Sequence, residues 1–185
     1  MKLVKRPTSA RRLANGSRAS KLVGCVLPRG PVRTLAVRKG VENGLAQEFG
    51  FAIRQVAGNT VLLDRHGTEG GYGSDLRTMV FDLASGRSYT IAHSCAAKDI
   101  SCTPDYDYAR RVIVRRDGRA VAALEHWRAG VSASTMLIAT FASDGKARLL
   151  DAGPPAELPG DSLTLTGNVA SWSHAGQPRS ADIRG

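Results

Sequence analysis

From residue 20 onward the chain alternates apolar and polar residues in short runs, and each run stops at Gly, Asn, Asp or Pro. Side chains two residues apart point to one face of a strand, so this period predicts β-structure. Turns are expected where Gly and Asn tolerate positive φ. The clearest case is Arg111–Arg115, the dipeptide Asp117-Gly118, and Ala120–His126. Asp-Gly between two alternating runs is the strongest local hairpin signal. The same reading gives strands at Lys21–Leu27, Val32–Val37, Phe51–Val56, Thr60–Asp64, Thr78–Leu83 and Ser88–Ala92. It continues with Thr135–Phe141, Ala147–Asp151, Ser162–Thr166, Val169–Ser173 and Arg179–Ile183. Long loops are expected over Gly67–Asp75 and about Ser94–Tyr108. No helix competes, because Gly44 and Gly50 limit even residues 41–50. The expectation is an all-β domain of about twelve or thirteen short strands.

The hairpins repeat. Met79–Arg87 and Leu137–Lys146 both read as a strand, an Ala-Ser turn containing Gly, and then a cation. Phe51–Asp64, Arg111–Leu124 and Ser162–Trp172 are each a hairpin with Gly at its turn. Equivalent positions lie about 50–60 residues apart, the size of a four-stranded propeller blade. Val80–Arg87 and Val112–Ala122, with Leu149–Pro154, Ser162–Gly167 and Ser171-Trp172, resemble blades of WD-repeat-like or TolB-like β-propellers. The similarity is to uncharacterised bacterial proteins of that type, over about residues 20–185. It implies an exported protein with no assigned reaction. Two full blades fit the chain, and the terminal segments Lys21–Val37 and Ser162–Ile183 are expected to pair as a third. A β-sandwich or an open meander of hairpins is the alternative.

Charge divides the chain. The first 40 residues hold 11 Lys and Arg and no acid, while the remaining 145 hold 15 cations against 16 acids. Residues 1–19 are therefore expected to be a basic, disordered segment ahead of a near-neutral domain over 20–185. Such an arm could bind nucleic acid or another polyanion through its phosphates. It carries no aromatic to stack on bases. Arg11-Arg12 resembles a twin-arginine start and Leu22-Val23-Gly24-Cys25 a lipobox, but no apolar stretch makes either a recognisable signal peptide. A truncated or mis-started reading frame would leave the same tail. No run reaches the roughly 18–20 apolar residues of a membrane-spanning helix.

Catalytic patterns are missing. There is no Gly-x-Ser-x-Gly elbow, and Gly70-Gly71-Tyr72-Gly73 lacks the Lys-Ser/Thr of a phosphate-binding loop. Cys95 and Cys102 are spaced to close a small disulfide ring, which points to an extracellular or periplasmic compartment. Zinc on His93, Cys95 and Cys102 lacks a clear fourth ligand. Asp99, Asp105 and Asp107 lack the spacing of a calcium loop. No metal or cofactor is therefore expected. Arg110, Arg111, Arg115, Arg116 and Arg119 form a basic run that alternation splits, with Arg111 and Arg115 on one face and Arg110 and Arg116 on the other. Tyr106 and Tyr108 beside Arg110 are the candidate ligand contacts. The reading is a non-catalytic, propeller-like binding or scaffolding domain, able to oligomerise through sheet edges. Polyanion binding and a hydrolase with an unrecognised loop site are the alternatives.

Overall fold

The computed structural model describes residues 2–12, 18–25, 31–38, 48–68, 74–95, 105–128 and 130–184. They form fourteen strands: β1 (Lys2–Arg12), β2 (Arg18–Cys25), β3 (Val32–Arg38), β4 (Glu48–Ala57), β5 (Thr60–Thr68), β6 (Ser74–Asp82), β7 (Ser88–Cys95), β8 (Asp105–Val114), β9 (Ala120–Arg128), β10 (Thr135–Phe141), β11 (Ala147–Gly153), β12 (Thr164–Thr166), β13 (Val169–His174) and β14 (Gln177–Asp182). Among the described residues the only helical element is a single 3-10 turn at Gly160–Ser162. No helix there is long and apolar enough to cross a membrane.

Four antiparallel sheets follow in chain order: β1-β2-β3, β4-β5-β6-β7, β8-β9-β10-β11 and β12-β13-β14. Each is a meander whose strands pair in sequence order. The two repeated segments around Arg87 and Lys146 connect the third to the fourth strand of the second and third sheets, so they occupy matching places.

The sheets pack face to face. Leu62, Val80 and Ile91 of the second sheet meet Val112, Ala122 and Phe141 of the third. The opposite face of the third sheet carries Val121, Ala123, Met136 and Ile138, which pack on Leu158, Leu163, Ala170 and Trp172. Val61, Leu63 and Leu83, on the other face of the second sheet, gather with Leu35 of β3. Strand β9 shows how the sequence achieves this. Ala120, Ala122 and Leu124 point one way, Val121 and Ala123 the other, and all are buried. A strand apolar at every position is what burial on two faces requires.

Polar links fix the seams. Gln55 of β4 donates through Nε2 to the Val114 carbonyl at 3.1 Å and accepts the Val114 N–H at 3.0 Å, so its amide substitutes for a strand partner. Tyr89 donates to the Gly118 carbonyl at 2.8 Å and stacks on Phe141. Burial, with the charge of Asp117 adding, raises its phenol above its ordinary pKa. Gly145 has φ +87°, and a Cβ there would lie 2.7 Å from the Tyr89 Cβ, so only glycine fits this approach. On the far side, Arg115 donates to the Gly167 carbonyl at 3.2 Å and Arg148 to that of Asp182 at 2.8 Å.

Several expectations change. Lys2–Arg12, expected as a disordered arm, form β1 and pair with β2, and the boundary expected between residues 19 and 20 falls inside β2. The terminal segments do not pair: β1–β3 and β12–β14 are separate sheets, so no shared third blade exists among the described residues. Of the second expected loop, Ser94 and Cys95 belong to β7 and Asp105–Tyr108 to β8, and residues 96–104 lie outside the described ones. The last strand begins at Gln177, after the tight turn Ala175-Gly176.

Candidate functional site

Strand β8 is irregular where it matters. Its register with β9 shifts between Ala109 and Arg111, which leaves Arg110 as the extra residue of a β-bulge. A bulge breaks the alternation and re-aims side chains. Before it, Tyr106 lies opposite Trp127 and Tyr108 opposite Glu125; after it, Arg111 lies opposite Ala123. Trp127, Glu125 and Ala123 alternate along β9, so these partners share one face. That face looks toward the fourth sheet, where Ala123 packs against Leu163 and Trp172. Arg110 and Arg111, expected on opposite faces, therefore line one cavity of about 400 Å³. The expectation failed because alternation holds only along an unbroken ladder.

The remaining walls come from Glu125 of β9, Met136 of β10, and Pro155, Gly160 and Asp161 of the segment before β12. Gly160 sits against the bulge: a Cβ there would come within 3.2 Å of the Cβ atoms of both Arg110 and Ala123. Larger residues would push this segment off the third sheet.

Arg110 is held from two sides. Its Nε donates to Glu125 Oε2 at 2.6 Å, and Nη2 meets the same oxygen. Its guanidinium lies 5.0 Å from the centre of the Tyr108 ring, within cation–π range. Ser134 Oγ donates to Glu125 Oε1 at 2.6 Å. The Glu125 side chain is 7% exposed and that of Arg110 is 52% exposed. A buried, fully engaged carboxylate thus orients a guanidinium whose outer part stays open. Such a fork recognises planar oxyanions. Arg111 is exposed, and no carboxylate among the described residues pairs with it.

The expected contacts Tyr106, Tyr108 and Arg110 thus share a face. Only Tyr108 touches Arg110, while Tyr106 stacks on Trp127 with ring centres 6.3 Å apart. Sequence reasoning missed Glu125 and Ser134. Glu125 carried a signal, since it is the one acid in the otherwise apolar run Ala120–Leu124 onward. Cys102 and the Cys95 side chain lie outside the described residues, as do residues 69–73 and Asp99. The disulfide and zinc readings therefore also lie outside the described residues. Asp107 does not gather with other ligands but pairs with His126 at 2.9 Å on the opposite face of β8.

A second polar cluster joins the third and fourth sheets. Trp172 Nε1 donates to Asp151 Oδ2 at 2.7 Å, and His174 Nδ1 lies 2.9 Å from the same oxygen. His174 Nε2 lies 3.8 Å from Glu157. Burial opposes ionisation of Asp151, but hydrogen bonds from Trp172, His174 and the Ala152 N–H outweigh it and hold the carboxyl below its ordinary pKa. With Asp151 ionised, Nδ1 of His174 carries the proton. Through Asp151 of β11 and Trp172 and His174 of β13, the cluster clamps the two sheets together.

The chain matches no protein-family model, no curated protein and no solved structure.

Proposed function

We propose that this chain is a non-catalytic, propeller-like binding domain whose ligand site is the cavity beside the β8 bulge. The observation that carries this reading is the bulge itself: it turns two consecutive arginines into one concave site and lets a buried glutamate orient one of them. Cavities of about 300–1,000 Å³ with a few convergent polar groups are typical small-molecule sites. The propeller-like part rests on the sheets. All four are sequential meanders stacked in chain order, and the first strands β4 and β8 are tied through Gln55. The non-catalytic part rests on the hydrogen-bonded groups at the cavity. Both oxygens of Glu125 are taken up, one by Arg110 and the other by Ser134.

A fragment screen read by backbone amide shifts tests the site. Ligands should move the amides of Arg110, Arg111 and Gly160 without being turned over. Binders that map elsewhere, or a product formed at this cavity, would overturn the reading.

The register of the first sheet favours a second reading, polyanion binding. Arg6 lies directly opposite Lys21, and Arg12 opposite Arg18. The first 40 residues hold 11 Lys and Arg and no acid, and such a run gains affinity for phosphates by counterion release. DNA affinity should then fall steeply with salt, and Arg6→Gln with Arg12→Gln should flatten that slope. A slope unchanged by both substitutions would dismiss this reading.

A further inference from the structure

We infer that the ligand of this cavity is a small hydroxylated carboxylate, the chemistry of a sugar acid. The inference rests on the cavity being a ligand site, and it names what the walls select. Three kinds of wall face one space of about 400 Å³. Two guanidiniums line it. Arg110 is already oriented, by a carboxylate that uses its Nε and Nη2. Arg111 adds a cation that no described carboxylate neutralises. Together they demand an anion, and a planar carboxylate matches a guanidinium fork in two parallel hydrogen bonds. Asp161, exposed on the 3-10 turn, lines the same cavity. A carboxylate accepts only, so it repels an anion and requires hydrogen-bond donors from the ligand. Met136 and Pro155 add apolar surface to the lining.

A ligand that satisfies all three carries a carboxylate, hydrogen-bond donors and a carbon face. A uronate has these features in one ring. A phosphate or sulfate alone satisfies the arginines but brings its negative charge toward Asp161 and leaves the apolar wall uncovered. A neutral sugar satisfies Asp161 and leaves the guanidiniums unpaired. The rigid pairing of Arg110 with Glu125 also matters, since a group held before binding loses little freedom on binding.

The test is calorimetric titration of the full chain with glucuronate, glucose, glutamate and inorganic phosphate, alongside the amide shifts of Arg110, Arg111 and Gly160. A uronate-containing oligosaccharide is added as a fifth titrant, to tell a free sugar acid from a polymer-borne one. Glucuronate should bind and glucose should not. Arg111→Gln should weaken glucuronate at least about tenfold, the usual scale for a lost charge-assisted hydrogen bond. Asp161→Asn should weaken glucuronate while leaving phosphate unaffected or improved. Both positions are exposed, and unchanged melting curves confirm that the variants fold. Glucose binding as tightly as glucuronate, or an Arg111→Gln affinity equal to the parent, overturns the inference. If glutamate or phosphate moves the three amides while glucuronate does not, the ligand class is wrong and the site stands. If nothing moves them, the site falls too.

Discussion

The third and fourth sheets are both antiparallel meanders, yet they are buried differently. The third is covered on both faces: Ala120–Leu124 of β9 are buried at every position, and Ile138 and Phe141 of β10 face opposite ways into two separate clusters. The fourth is covered on one. Ala170 and Trp172 of β13 point inward, while Val169 is 43% exposed and Ser171 and Ser173 alternate outward with it. The third sheet is held by apolar area. The fourth adds hydrogen bonds at its rim, through Arg115, Arg119 and Arg148 to backbone carbonyls and through Trp172 and His174 to Asp151. Its edge strand is also protected, since Pro178 of β14 has no N–H to offer a further strand. One topology therefore tolerates two strategies, and the cavity lies where they meet.

Substitutions should separate the two. The largest effect is expected at Ile138, buried in the seam between the sheets. Ile138→Ala should cost about 2–5 kcal/mol in denaturant unfolding, against less than about 0.5 kcal/mol for Val169→Ala on the open face. Equal costs would remove the distinction. Gly145→Ala comes next. Its positive φ and the 2.7 Å approach to Tyr89 combine backbone strain with overpacking, for about 2–4 kcal/mol. A loss below about 1 kcal/mol would mean that the second and third sheets sit farther apart.

These seams were only partly legible in the sequence. Short apolar runs between turn residues located β9 and β10, and Asp117-Gly118 fixed the hairpin between β8 and β9. The start of β8 was not legible. Asp105–Arg110 alternates Asp with Tyr and offers no aliphatic residue before Ala109, and it is held as a strand by cross-strand partners such as Tyr106 with Trp127 and Asp107 with His126. The bulge left one trace. Ala109 and Val112, three residues apart, both face the second sheet, which an unbroken strand cannot do. That trace was hidden because both faces of the third sheet are buried, so no polar face marked the change of phase. Tyr106, Tyr108, Arg110 and Arg111 were legible one by one, but Glu125, Ser134 and the convergence of all six were not.

Smaller effects test the polar links. Gln55→Leu should cost about 1–3 kcal/mol by leaving the Val114 N–H and carbonyl without their partner. A neutral result would show that water serves Val114 as well. Asp151 makes the clamp pH-dependent. Its folded-state pKa lies below the ordinary carboxyl value of about 4, so its contribution is complete above that value and is lost as pH falls through the depressed one. Acid unfolding curves for Asp151→Asn should be flatter below pH about 4 than those of the parent, with the two parallel near neutrality. Identical acid limbs would release Asp151 from that role.

Amide hydrogen exchange tests the contrast between the two sheets most directly, because protection reports local opening strand by strand. The slowest amides should lie in Ala120–Glu125 and Met136–Phe141, with β12–β14 exchanging faster and the outward N–H groups of Ser180 and Asp182 fastest of all. Protection of β14 equal to that of β9 would contradict the account and would mean that a further strand or partner covers the fourth sheet.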